Sequence, residues 1–130
     1  MSLSNPIGEL MEEAIVTTNL RTIQEIAHNT AREKGFWEDT STPITPFEET
    51  LDADWDRRLV SEKIALIHSE VSEALEELRD GTLEKFGGEL ADIIIRTADL
   101  AGAMKLDLAA LVVAKLEANK ARPVKHGKRF

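Results

Sequence analysis

Two pairs of acidic residues, each pair spaced three apart, stand inside apolar stretches of the chain. Glu70 and Glu73 lie in HSEVSEALEEL, and Glu89 and Asp92 lie in GGELADIII. At this spacing two carboxylates share one face of a helix, and their repulsion costs about 0.2–0.5 kcal/mol for an exposed pair. A divalent cation offsets that repulsion, and hard oxygen ligands select Mg²⁺ or Mn²⁺.

The alternatives to a magnesium site are a solvated acidic face and a di-iron centre. A solvated face, with Lys63 and Arg96 as ion-pair partners, is the usual meaning of a single acidic pair. Two pairs on flanking helices favour a metal instead. A di-iron site requires Glu-x-x-His on two helices, but this motif occurs once, at Glu25 and His28, beside none of the four acids. Iron is therefore disfavoured.

Apolar residues recur at helical spacing through most of the sequence, and no alternating strand pattern is found. The pattern predicts an all-α fold with helices at about 8–34, 57–79 and 83–104. A fourth helix begins near LDLAAL and ends at ARP, because Pro123 cannot continue it. Gly35 is a natural left-handed C-cap for the first helix. Residues 36–56 contain two prolines and are predicted to form a long loop.

The short RDGT link predicts that the second and third helices are antiparallel neighbours. Successive residues advance about 100° around a helix. Glu70, Glu73 and Glu77 then form a strip beside the apolar stripe of the second helix. A matching strip on the third helix holds Glu89, Asp92, Arg96 and Asp99. We expect the two acidic strips to face each other.

Length, composition and charge exclude several classes of function. The chain has 130 residues, no cysteine and a net charge of −8. This size predicts a single domain over residues 1–130, and the acidic balance argues against binding to nucleic acid polymers. Without cysteine, disulfides and thiolate metal sites are excluded. No apolar run is long enough to span a bilayer, so we expect a cytoplasmic protein with no membrane partner.

Basic residues concentrate near the C-terminus. Residues 115–130 hold six Lys or Arg and one acid, and 123–130 form a basic tail. In a helix, Lys115, Asn119 and Arg122 fall on one strip. Such a strip suits phosphate oxygens, with Arg as a bidentate fork and Lys as a point charge. It equally suits a solvated helix end that complements the helix dipole.

The acidic motifs resemble those of a known enzyme family. SEVSEALEE, followed after 15 residues by ELAD, resembles the ExxE…ExxD signature of the MazG-like all-α nucleoside triphosphate pyrophosphohydrolases. HNTAREKGFW resembles the end of that family's first helix, and KLEANKARPVKHGKRF resembles its C-terminal segment. Ser69 and Gly88 depart from the pattern, because many members carry Glu at both positions.

The resemblance implies a four-helix MazG-like bundle completed by homo-oligomerisation into dimers or tetramers. It implies Mg²⁺-dependent hydrolysis of a (deoxy)nucleoside triphosphate to monophosphate and pyrophosphate, which clears surplus nucleotides. The metal would be held by Glu70, Glu73, Glu89 and Asp92. Either Glu73 or Glu77 would accept a proton as the catalytic base.

Substrate-binding residues follow from the same resemblance. Lys115, Asn119 and Arg122 would bind phosphate groups. The spacing of His28 and Trp37 is similar to that of the base-pocket histidine and tryptophan in the dCTP pyrophosphatase branch. A helical nucleotide-binding or protein-interaction module without turnover is the alternative function.

Overall fold

The computed structural model describes residues 6–37 and 54–124, except for the side chains of residues 54–56. These ranges contain four helices and no strand: α1 (Pro6–Glu33), α2 (Asp54–Asp80), α3 (Leu83–Ala103) and α4 (Leu108–Ala121). The predicted all-α fold is confirmed. Most of the predicted loop 36–56 and most of the basic tail lie outside the described residues, although α2 begins inside that loop, at Asp54.

Local sequence explains where the helices begin and end. Pro6 opens α1, at a position where its missing N–H breaks no helical hydrogen bond. Gly35 follows α1 with φ of 82°, as predicted for a left-handed cap. The Thr82 hydroxyl caps α3 by accepting from the Lys85 N–H at 3.3 Å. Asp107 caps α4 in the same way, accepting from the Ala110 N–H at 3.1 Å.

The chain divides into two compact units. The central unit is Ile23–Leu106 and contains α2, α3 and the second half of α1. The terminal unit comprises the residues up to Thr22 and those from Asp107 onward. Within the terminal unit, Arg21 Nη2 lies 3.1 Å from Asp107 Oδ2. The Ala110 N–H and, secondly, Arg21 hold the pKa of Asp107 below its ordinary value.

Small residues allow the helices of the central unit to approach closely. Its buried apolar side chains belong mainly to alanines, with one valine and one methionine: Ala27, Ala31, Val60, Ala74, Ala98, Ala101 and Met104. Gly102 of α3 lies against His28 of α1, because a Cβ added there would lie 2.7 Å from the His28 Cβ. Real Cβ atoms avoid such a distance, so glycine permits this crossing.

Large apolar side chains remain on the surface of both units. In the described residues no large side chain is fully buried. Ile7 is 73% exposed in the terminal unit, and Ile26 is 61% exposed in the central unit. Exposed apolar residues that group into a large patch usually mark a site of association. No helix in the described ranges combines the length and apolar character needed to cross a membrane.

Candidate metal centre

Three glutamate side chains converge between α2 and α3. One carboxylate oxygen from each of Glu70, Glu73 and Glu89 lies within 4.8 Å of the others. Glu70 and Glu73 are one turn apart on α2, and Glu89 comes from the first half of α3. The Gly81–Thr82 link turns the chain back, so parts of the two predicted acidic strips meet: Glu70 and Glu73 of α2 face Glu89 and Arg96 of α3. Oxygen ligands at these separations fit a hard divalent cation.

Glu70 is the buried member of this cluster, and its partner is an arginine. Glu70 is 6% exposed, and its Oε1 accepts a hydrogen bond from Arg96 Nε at 2.6 Å. A buried carboxylate without a partner is strongly destabilising. The ion pair with Arg96 therefore keeps Glu70 ionised inside the protein and ties α2 to α3.

The three glutamates differ in their affinity for protons. Burial opposes ionisation of Glu70, but hydrogen bonds with Arg96, Glu73 and Glu89 outweigh it and hold the pKa of Glu70 below its ordinary value. The hydrogen bond shared with Glu70, and the Glu70 charge, raise the pKa of Glu73. Burial, followed by hydrogen bonding to Glu70, raises the pKa of Glu89 to about 7. Near neutral pH Glu89 is therefore partly protonated, and a cation bound there would displace that proton.

Two other acids that were predicted to act at this site, Asp92 and Glu77, do not belong to the three-glutamate cluster. Asp92 lines the adjoining cavity but is not one of the three residues whose oxygens converge. Glu77 lies one turn beyond Glu73, and its carboxylate occupies the space beside Gly81 at the end of α2. Of the two predicted proton acceptors, Glu73 is thus the one within the cluster.

A cavity of about 610 Å³ adjoins the cluster within the central unit. Glu70 belongs to both, so the carboxylates and the cavity are continuous. Its wall is mainly apolar, and its charged residues are Lys63, Glu70, Asp92, Arg96 and Asp99. The apolar residues include Ile23, Ile26, Phe36, Leu66 and Ile95. A volume of this size fits a small organic ligand that has both apolar and charged parts.

Asp99 holds the two residues that were predicted to bind a nucleobase. Its Oδ1 accepts hydrogen bonds from His28 Nδ1 and from Trp37 Nε1, each at 2.9 Å. The His28 and Trp37 rings meet edge to face, with centroids 5.8 Å apart. A carboxylate partner places the His28 proton on Nδ1 and leaves Nε2 for another group. Sequence spacing put Asp99 on the acidic strip but assigned it no such role.

Lys63 of α2 completes this arrangement. Its Nζ lies 4.5 Å from the Trp37 ring centroid and donates to the Phe36 carbonyl oxygen at 3.0 Å. Of the two neighbouring aromatics, Phe36 lines the cavity, whereas Trp37 lies in a shallow recess beside Asn29, Arg32 and Glu33. In the described residues, the cavity wall includes neither His28 nor Trp37. The base-binding role of these two residues stays a prediction.

The predicted phosphate-binding residues belong to the terminal unit. Lys115 and Asn119 lie on α4, and both are exposed. Arg122 lies beyond the helix with φ of −73° and ψ of 144°, because a residue that precedes proline is disfavoured in helical conformation. Arg122 is thus the C-cap of α4, directly after its last residue, Ala121. Whether these residues bind phosphate stays a prediction.

No known protein-family model, curated protein or solved structure matches this chain.

Proposed function

We propose that this protein hydrolyses a (deoxy)nucleoside triphosphate to a monophosphate and pyrophosphate in a Mg²⁺-dependent reaction. The observation that carries the proposal is the convergence of Glu70, Glu73 and Glu89 beside a cavity of about 610 Å³. The resemblance of SEVSEALEE and ELAD to the MazG-like pyrophosphohydrolase motifs supports the same reaction.

The donor set fits magnesium. Glu70, Glu73 and Glu89 would hold the ion, and Asp92 would face the ligand from the cavity wall. Mg²⁺ neutralises phosphate charge and lowers the pKa of a coordinated water molecule. The buried Glu70 keeps its charge through Arg96, so one strong oxygen donor is present before any cation arrives.

The chain's own residues would then direct a simple displacement. A water oxygen attacks one phosphorus of the triphosphate, and the phosphoanhydride bond between monophosphate and pyrophosphate breaks. Glu73 takes the proton from the water, since it is the proposed acceptor that lies within the cluster.

Assembly into dimers or tetramers belongs to the same proposal. The exposed apolar residues on α1, α2 and α3 support it, since large exposed apolar patches mark sites of association. We expect a second copy of the chain to cover part of it.

One observation favours the alternative of a non-catalytic nucleotide-binding or interaction module. Arg96 already balances the buried charge of Glu70, so that carboxylate needs no cation as its partner. In such a module the acidic cluster would serve only as part of a polar network.

A substrate panel separates the two functions. Nucleoside triphosphates with each base and with both sugars are incubated with the protein, with and without Mg²⁺, and products are separated by chromatography. The proposal predicts equimolar monophosphate and pyrophosphate, formed only with the metal. The Glu76→Gln variant is the matched control, because Glu76 is an exposed α2 residue that pairs with Arg79. Absence of turnover across the panel would favour the binding module.

A further inference from the structure

Arg96 places a fixed positive charge within the acidic site. It lies on α3 one turn after Asp92 and one turn before Asp99, and it lines the cavity with both. Its side chain is 42% exposed, whereas the Glu70 side chain that it contacts is 8% exposed. The arginine therefore reaches from a buried carboxylate to accessible space.

The contact with Glu70 leaves most of the guanidinium available. Arginine carries five N–H donors in a planar fork. The hydrogen bond to Glu70 uses Nε, and the four remaining donors are on Nη1 and Nη2. Two Nη donors in one plane match two oxygens of a phosphate group.

We propose that Arg96 is a phosphate-binding residue of this site, anchored by Glu70 through Nε and contacting the ligand's phosphate oxygens through its Nη groups. The inference rests on the proposed function and adds a residue that sequence spacing treated only as an ion-pair partner of the acids. The Glu70–Arg96 pair supplies both a metal ligand and an anion-binding group to the same ligand.

The position of Arg96 has opposite consequences for cations and anions. Arg96 and a divalent cation would both contact the Glu70 carboxylate, and their positive charges repel each other. The arginine charge therefore opposes cation binding. The same charge favours a polyphosphate. Removing it should strengthen cation binding and weaken phosphate binding. A purely structural ion pair predicts a different result, because loss of the α2–α3 link would weaken both.

Calorimetric titrations with Mn²⁺ and with inorganic pyrophosphate test this inference. We compare the wild-type protein with Arg96→Gln, Arg96→Lys and the control Arg79→Gln, whose arginine forms an exposed ion pair on α2. In Arg96→Gln we expect pyrophosphate affinity, measured with saturating Mn²⁺, to fall about tenfold or more, as for a lost charged hydrogen bond. Mn²⁺ affinity should rise, and Arg79→Gln should match the wild type.

The Arg96→Lys variant separates loss of phosphate binding from loss of folding. Lysine retains a charge beside Glu70 but lacks the fork. We expect its melting temperature to stay close to that of the wild type while its pyrophosphate affinity falls. Pyrophosphate affinity that is unchanged in both folded variants overturns the inference, as does a wild-type protein that binds no pyrophosphate.

Failure here is distinguishable from failure of the proposed function. If the wild type hydrolyses triphosphates and the arginine variants bind pyrophosphate normally, the Arg96 role alone is wrong. If no triphosphate is hydrolysed but Arg96→Gln still loses pyrophosphate affinity, the anion-binding role of Arg96 is supported and the proposed hydrolytic function is wrong.

Discussion

The central and terminal units differ in how their polar residues are held. In the central unit, Glu70 is bound by Arg96, and Asp99 receives hydrogen bonds from two aromatic rings. In the terminal unit, Lys115 and Asn119 are exposed on α4, and Arg122 has left the helix. Polar groups that are buried and fixed by several partners are costly to maintain unless they are fully satisfied. The carboxylates of Glu70 and Asp99 in the central unit are more buried than that of Asp107 in the terminal unit, and we therefore expect substitutions in the central unit to have the larger effects.

The largest effect is expected at the glutamate cluster. Glu73→Gln removes the proposed proton acceptor, and Glu89→Gln removes a ligand from α3. Glu73→Gln should lower turnover roughly 10²–10⁴-fold, the range for a lost general base. Glu89→Gln should lower it by weakening cation binding, and both variants should retain their helicity. Rates are measured as pyrophosphate release, with Glu76→Gln as control. Activity within a few-fold of wild type in both variants contradicts the assignment.

Substitutions in the terminal unit test whether it contributes to phosphate binding. Lys115→Ala and Arg122→Ala should each reduce kcat/KM for the triphosphate by about 1.5–3 kcal/mol if they bind charged oxygens. Binding of the monophosphate should change less, because it carries less charge. Lys120→Ala, which removes the exposed Lys120–Glu117 pair on the same helix, is the control. Three equal, small effects would show that this segment is only a solvated basic surface.

Loss of Asp99 should loosen the aromatic residues of the central unit. Asp99→Ala leaves the part-buried His28 Nδ1 and Trp37 Nε1 without their shared acceptor, which costs about 1–3 kcal/mol in the free energy of unfolding. Chemical denaturation measures this cost, and tryptophan fluorescence in a Trp55→Phe background reports on Trp37. If nucleotide affinity also falls by more than stability explains, the predicted base-binding role of His28 and Trp37 gains support. A variant as stable as the wild type, with unchanged Trp37 emission, excludes the anchoring role.

Alanine substitutions at two glycines of α3, one closely packed and one open, test the packing of this helix, and their expected effects are smaller. Gly102→Ala places a methyl group against His28 and should lower stability by about 1–3 kcal/mol, the usual cost of overpacking. Gly87→Ala meets no atom within 4 Å and should stabilise the helix by up to about 1 kcal/mol. Thermal unfolding compares the two variants. A Gly102→Ala variant that is as stable as the wild type or more stable would show that the α1–α3 crossing is not closely packed at Gly102.

Helical periodicity and turn chemistry predicted much of the fold. The four helices, the Gly35 cap and the approach of the two acidic strips all follow from the spacing of apolar residues and from the short RDGT link. The start of α2 at Asp54 was missed, since the prolines upstream suggested a longer loop. The end of α4 at Ala121, with Arg122 as its C-cap, agrees with the end at ARP that Pro123 predicted.

The pairing of side chains within the site was harder to predict. Spacing places Asp92, Arg96 and Asp99 on one strip but does not determine which of them faces the glutamates. Arg96 contacts Glu70 and Asp99 contacts His28 and Trp37 because of how α1, α2 and α3 cross. Those crossings depend on close contacts such as Gly102 against His28, which periodicity alone does not encode.

The most direct test of the central claim is a Mn²⁺ titration of the wild-type protein and of Glu89→Gln at pH 6 and pH 8. A cation binds the ionised carboxylates, and Glu89, with its pKa at about 7, is mostly protonated at pH 6 and mostly ionised at pH 8. Wild-type affinity should therefore be higher at pH 8, with protons released on binding. Glu89→Gln should bind weakly at both pH values and lose most of this dependence. Equal affinities of the two proteins at pH 8, or no binding by either, would contradict a metal centre at Glu70, Glu73 and Glu89.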